Sequence, residues 1–156
     1  MTSTVTAATL TVTHTESITL NGVDHGATNK LEIGSINEVM KRIVSVPTSE
    51  VQVIAMHNTA VSSGTFLEAN VRYIRITNLD DTNHVTLTFK NDNDDEFAVM
   101  LDRGQTFVYN GDLDGGVVDT MDAAATALSL ALGDLVDITA IASTAAVDIE
   151  IFVASI

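Results

Sequence analysis

The sequence predicts an all-β chain, an antiparallel β-sandwich of jelly-roll-like form with at most one short helix near residues 121–132. Three observations carry that prediction. Thr, Val and Ile are abundant, whereas Trp and Cys are absent and Pro47 is the single proline. β-Branched side chains are stiff at χ1 and fit a pleated surface, so the bias favours sheet over helix. Short runs alternate apolar and polar residues, as in Val85, Leu87 and Phe89 against His84, Thr86, Thr88 and Lys90, the period of a half-buried strand. Clusters of turn-forming residues separate the runs, at 78–83, 91–96 and 102–104.

Each element follows from the same reasoning. Residues 1–13 alternate Thr with apolar side chains and are read as an N-terminal arm or edge strand, with residues 14–156 forming one sandwich domain. Val5 and Ala7 lie in one register and Leu10 and Val12 in the other, so the parity change across Ala8 and Thr9 predicts a bulge or a change of sheet there. Val5, Leu10 and Val12 are the candidate contacts of an arm that reaches a neighbouring subunit.

Ser17–Asn21 reads as a short strand, and Asn21-Gly22 supplies the positive φ angles of a tight hairpin turn. Lys30–Ile33 alternates again, with Gly34 as its predicted end. Over 36–46, Val39, Met40, Ile43 and Val44 would share a helical face, but Lys41 and Arg42 interrupt it. The segment is read as strand because the residue before Pro47 avoids the α region. Glu50–Met56 is apolar on both parities, the pattern of a strand covered on both faces. Phe66 and Leu67 are expected to tuck under the strands that follow.

Val71–Thr77, His84–Lys90, Phe97–Leu101 and Gln105–Tyr109 are read as four strands of an antiparallel meander. A turn-rich loop occupies 110–116. Met121, Ala124, Ala125, Leu128, Ala131 and Leu132 recur at helical steps, with Asp119 or Thr120 as cap and Gly133 as stop, though the same stretch also permits a strand. Leu135–Ala142 and Ala146–Ile156 close the chain, the last as a strand that ties the C-terminus into the sheet.

Charge narrows the function. Twenty-one acidic residues against seven basic ones give a formal charge of −14, which repels phosphate backbones and argues against nucleic-acid binding. The first residues carry no basic n-region, so no signal peptide is expected. The longest weakly polar run, 123–132, is too short to span a bilayer. Without Cys there is neither a disulfide nor thiol chemistry.

The motif closest to a metal site is Asn110-x-Asp112-x-Asp114-Gly115, which matches the first half of a calcium loop. The bidentate Glu that should follow is replaced by Met121, and the same residues are ordinary turn vocabulary. Asp92 and Asp94, with Asp95 and Glu96, form the densest carboxylate cluster and read first as a solvated hairpin tip, second as a calcium site. His14, His25, His57 and His84 lie on separate segments without metal-ligand spacing. No nucleophile elbow or phosphate-binding glycine loop is present. The reading is therefore non-enzymatic, with no catalytic residue and no cofactor.

One stretch carries a resemblance. Val71-Arg-Tyr-Ile-Arg-Ile-Thr-Asn-Leu-Asp-Asp-Thr-Asn-His-Val-Thr-Leu87, the step Leu101-Asp-Arg-Gly-Gln-Thr-Phe107 and the ending Val147-Asp-Ile-Glu-Ile-Phe-Val-Ala-Ser155 resemble small β-sandwich virion proteins of tailed bacteriophages. The resemblance covers about the C-terminal half. It implies a structural protein of the particle, made in the host cytoplasm and placed on the virion, most simply a capsid decoration (cement) protein. Its implied partners are the major capsid protein or another virion protein and further copies of itself, as in a trimer. A tail or head–tail junction component fits the same motifs, and a calcium- or carbohydrate-binding module is the alternative from another class.

Overall fold

The computed structural model describes residues 4–59, 64–110, 117–118 and 133–156. The chain opens with β1 (Ala8–Glu16), turns through the two-residue strands β2 (Thr19–Leu20) and β3 (Val23–Asp24), and returns along β4 (Ala27–Ile36). There follow β5 (Glu38–Val46), β6 (Val51–His57), the short β7 (Thr65–Leu67) and a 3-10 turn at Glu68–Asn70. The second half contains β8 (Val71–Asn78), β9 (Val85–Asn91), β10 (Glu96–Leu101), β11 (Thr106–Asn110), β12 (Val117–Val118), β13 (Gly133–Ala142) and β14 (Val147–Ser155).

The pairings explain the architecture. β5 pairs with β14, β6 with β13, β8 with β11 and β9 with β10, all antiparallel. Alone, these would make one long hairpin with its tip between β9 and β10. The hairpin is rolled, because β14 also pairs with β8 and β13 with β9. Two facing sheets result, β11-β8-β14-β5 and β10-β9-β13-β6, the second extended by β7 parallel to β6 and by β12 on β13. This is the jelly roll, and the expected all-β sandwich is present.

Alternation places the core between the sheets. Ile74 and Ile76 of β8 and Ile149, Ile151 and Val153 of β14 face Val85, Leu87 and Phe89 of β9 and Ile138 and Ala140 of β13, all buried. Phe89 stacks on Phe97 at 4.8 Å between ring centroids and meets Phe107 at 4.7 Å. Among the described residues the interior is apolar packing.

The structure corrects two expectations. Residues 71–109 are not a meander: β8 and β9 belong to opposite sheets, β8 takes β11 as its neighbour, and only β9 and β10 form a hairpin. The Asn/Asp corner at 78–83 is an arch between sheets, whose turn chemistry is the same as that of a hairpin. Gly34 does not end its strand; β4 runs on to Ile36 through Ser35, at φ 63°. β1 is half of a two-stranded ribbon with β4.

Other expectations hold. A register irregularity falls between Ala8 and Leu10. Asn21 and Gly22 both adopt positive φ, 52° and 78°. Residues 38–46 are strand, and β14 sits inside its sheet. The expected helix at 121–132 and the loop at 111–116 lie outside the described residues.

Candidate functional site

The ribbon of β1 and β4 begins as part of the body and ends as a projection. At its base, Val12, Ile33 and Ile36 are buried against Tyr73 and Ala154 on the outer face of the β11-β8-β14-β5 sheet, with Leu10, Leu31 and Phe152 packed around them. Tyr73 meets Phe152 edge-on, at 5.8 Å and 70°. Burial pushes the Tyr73 hydroxyl pKa up, with Arg75 pulling weakly the other way. A shallow cleft of about 260 Å³ runs beside β1, lined by Leu10, Val12, Thr13, Tyr73, Arg75 and Phe152. A smaller apolar one, about 140 Å³, lies on its other side between Ile36, Val39 and Ala154.

An ion-pair network borders this face. Glu150 accepts from Arg75 at 2.5 Å and pairs with Lys41 at 3.1 Å. The Arg75 guanidinium bond first, and the Lys41 ammonium second, hold the Glu150 carboxyl below the usual carboxylate range. Arg75 also lies 6.0 Å from the centre of the Phe152 ring, at the outer limit of a cation–π contact.

Beyond the base, the ribbon from Thr13 to Lys30 is solvent-exposed apart from half-covered Gly26. Its tip is nevertheless built. β2 and β3 pair around the Asn21-Gly22 turn, the His25 N–H donates to the Ile18 carbonyl at 2.9 Å, and the Gly26 N–H donates to Asp24 Oδ1 at 2.8 Å. Gly26 is required because a Cβ there would collide with the Glu16 carbonyl oxygen. This frame presents Ile18, Leu20 and Val23 to water at 53, 57 and 55 % exposure. The sequence signal for this patch is slight, an apolar alternation over 17–21 that also fits an ordinary covered strand.

The candidate residues fall as follows. Val5 is exposed, but Leu10 is half-buried and Val12 is buried, both against their own sheet. Val12 is thus not a surface contact, because Tyr73 and Phe152 supply the apolar cover that the sequence reading assigned to a partner. Asp92 Oδ1 accepts the Asp134 N–H at 3.1 Å. Asn91 Oδ1 accepts the Asn93 and Asp95 N–H groups, and Asp94 turns the chain at φ 65°. Asp80 caps its own corner, accepting from the Thr82 and Asn83 N–H groups, and those backbone bonds lower its pKa. Asn110 ends β11 opposite Tyr73, while Asp112 and Asp114 lie outside the described residues. Among the described residues, no three His or carboxylate side chains gather closely enough to hold a metal ion.

One buried charge escaped the sequence reading. Glu68 of the 3-10 turn is buried, and its Oε2 has no hydrogen-bond partner. Desolvation, then the charges of Asp134 and Asp92, raise its pKa, while His57 acts the other way.

Set beside protein families, curated proteins and solved structures, the chain matches none. Among the described residues no helix is long and apolar enough to cross a membrane.

Proposed function

We propose that this chain is a non-enzymatic structural protein of a tailed-phage virion, a decoration protein that binds the outer surface of the capsid. The observation that carries the reading is the rolled pairing of β5–β14, β6–β13, β8–β11 and β9–β10 around an apolar interior. Jelly rolls serve chiefly as capsid modules, lectins and cupins. A cupin does its chemistry on ligands inside the roll, and here Phe89, Leu87, Ile74 and Ile151 fill that space. A lectin or calcium module would recognise its ligand through loop carboxylates; those of Asp80 and Asp95 already accept from their own corners, and that of Asp92 from the Asp134 N–H of β13. A capsid module needs neither. It needs a stiff body and a surface to press against a neighbour, and the motifs over 71–87, 101–107 and 147–155 support the same direction by their resemblance to virion proteins.

The test is made on particles. An antibody to this chain should label intact heads at regular spacing, and heads lacking the chain should disrupt at lower temperature. Labelling confined to tails would move the protein to a tail or head–tail junction role, overturning the decoration reading. Absence from purified particles, together with a calcium-dependent rise in melting temperature of the free chain, would favour a binding module instead.

A further inference from the structure

We propose that two copies of this chain join edge to edge through β10, antiparallel across a two-fold axis at Ala98. β10 closes one side of its sheet and pairs with β9 alone, without a register shift. The phase of that ladder follows from its first bond, in which the Asn91 N–H donates to the Asp95 carbonyl at 3.0 Å. In an antiparallel strand one residue turns its N–H and C=O to the same side, and the next turns both away. Asp95, Phe97, Val99 and Leu101 therefore face β9 with their backbone groups. Glu96, Ala98 and Met100 turn theirs outward, where no strand among the described residues meets them.

The other open edges are guarded or short. β5 carries Lys41, and its Arg42 stands on the parity of Met40 and Val44, which pack against the core. A charge on the inner face of an edge strand is a device against pairing with another chain. β7 has only three residues, and Val108 of β11 packs into the cluster at the ribbon base. β10 has no such guard. From Phe97 to Leu101 it holds no charge, proline or glycine, and its one acid, Glu96, stands opposite Lys90 of β9. On a chain of charge −14, acidic surface turns a second copy away; this uncharged edge does not.

The strand is also complementary to itself. Turned about Ala98, it sets Ala98 against Ala98 and Glu96 against Met100, so each outward N–H from 96 to 100 finds a carbonyl. Faces are kept in register. Phe97 of one copy meets Val99 of the other on the side that packs against the core, an aromatic and β-branched pair. On the outer side Met100, 57 % exposed in one copy, covers the Glu96 methylenes of the other. An axis at Val99 would instead set Glu96 against Asp102, two like charges. A foreign strand would have to match this alternation, whereas a second copy carries it by symmetry. The proposal stands apart from the virion reading, because purified chain alone tests it and particles play no part.

The experiment is sedimentation of the full chain at about 100 µM, with circular dichroism as a check on folding. Wild type should approach twice the 16.5 kDa of one chain and should dissociate on dilution. Because the two copies repel, association should tighten in about 1 M salt. Ala98→Glu sets two acids face to face at the axis and should weaken association by about tenfold or more. Mixed with Ala98→Lys, it should recover a one-to-one complex. Ala98→Pro removes an outward N–H and leaves the β9 ladder intact, so it should give a folded monomer. Ala98 is exposed, so the Glu and Lys variants should fold and carry the test even if the proline variant does not. A single cysteine reads the contact directly in a chain that has none of its own. Ala98→Cys should link two copies on mild oxidation, since paired Cα atoms there stand about 5.5 Å apart, and Val39→Cys on β5 should not. A wild type that stays monomeric at that concentration in either salt, an Ala98→Glu chain that associates like wild type, mixed variants that stay apart, or an Ala98→Cys chain that crosslinks no faster than Val39→Cys would each overturn the proposal.

Discussion

Asn78 holds the arch between β8 and β9 with one buried amide. Its Nδ2 donates to the carbonyls of Asn83 at 3.0 Å and Leu101 at 3.1 Å, and its Oδ1 accepts the Asp80 N–H at 2.9 Å. One side chain thereby ties β8, its own corner and the end of β10 on the facing sheet. Asn78→Leu would strand two carbonyls and an N–H; at about 1–3 kcal/mol for each unmet buried group, with partial access of water, the loss should be about 3 kcal/mol. Urea unfolding should show a lower midpoint at an unchanged slope. Two carboxylates should give pH dependences of opposite sign. Glu68 has a raised pKa, chiefly from desolvation, so between its ordinary and raised values the native state binds more protons than the unfolded one. Stability therefore falls as pH rises through that window. Glu68→Gln should remove this dependence and melt higher than wild type at neutral pH. Glu150 has a lowered pKa, set first by Arg75 and then by Lys41. Its contribution is present above the ordinary value of 4.5 and is lost as pH falls through the lowered one. Glu150→Gln should flatten the acid side of the melting profile and leave the neutral side to other groups.

The ribbon of β1 and β4 is the element whose role separates most cleanly from the body. Its base shares an apolar cluster with Tyr73 and Ala154, but everything past Thr13 is held by the ribbon itself. Thr13 and Lys30 are register partners, so replacing 14–29 with Asn-Gly should close a two-residue hairpin without altering the base. The shortened chain should keep its melting temperature to within about 4 °C, the shift that 1 kcal/mol produces in a domain of this size. A much larger drop would mean that the tip supports the body. Elements of this kind also show what the sequence could tell. The alternation in β9, the Asn21-Gly22 turn and the irregularity after Ala8 were legible because each is local: a period of two, a pair of positive φ angles, a change of parity. Strand partners were not, since the Asp- and Asn-rich corner at 78–83 serves an arch between sheets as well as a hairpin. Nor does alternation reveal what covers an apolar face. Val12 and Leu20 have similar surroundings in sequence, yet Val12 is sealed by its own sheet and Leu20 faces water.

At the scale of the whole molecule, the roll is closed by its last strand. β14 lies between β5 and β8, so the C-terminal residues join the first strand of the sandwich to its middle. Pairings between chain segments so far apart close large loops before they return any stability, which makes such topologies slow folders. The energetic weight of β14 is correspondingly large. Val147, Ile149, Ile151 and Val153 are all fully buried, and burying each contributes about 1.5–3 kcal/mol. Together they amount to about 6–12 kcal/mol, comparable to the 5–15 kcal/mol by which a domain is stable at all. Removing them also leaves β5 and β8 each with an unpaired ladder in the middle of a sheet. A chain ending at Ala146 should therefore lack a cooperative melt and should expose its core to hydrophobic dyes. Should that chain still melt as one unit, the β10-β9-β13-β6 sheet would have to be stable without the sheet that faces it, and the jelly roll would be two modules in place of one.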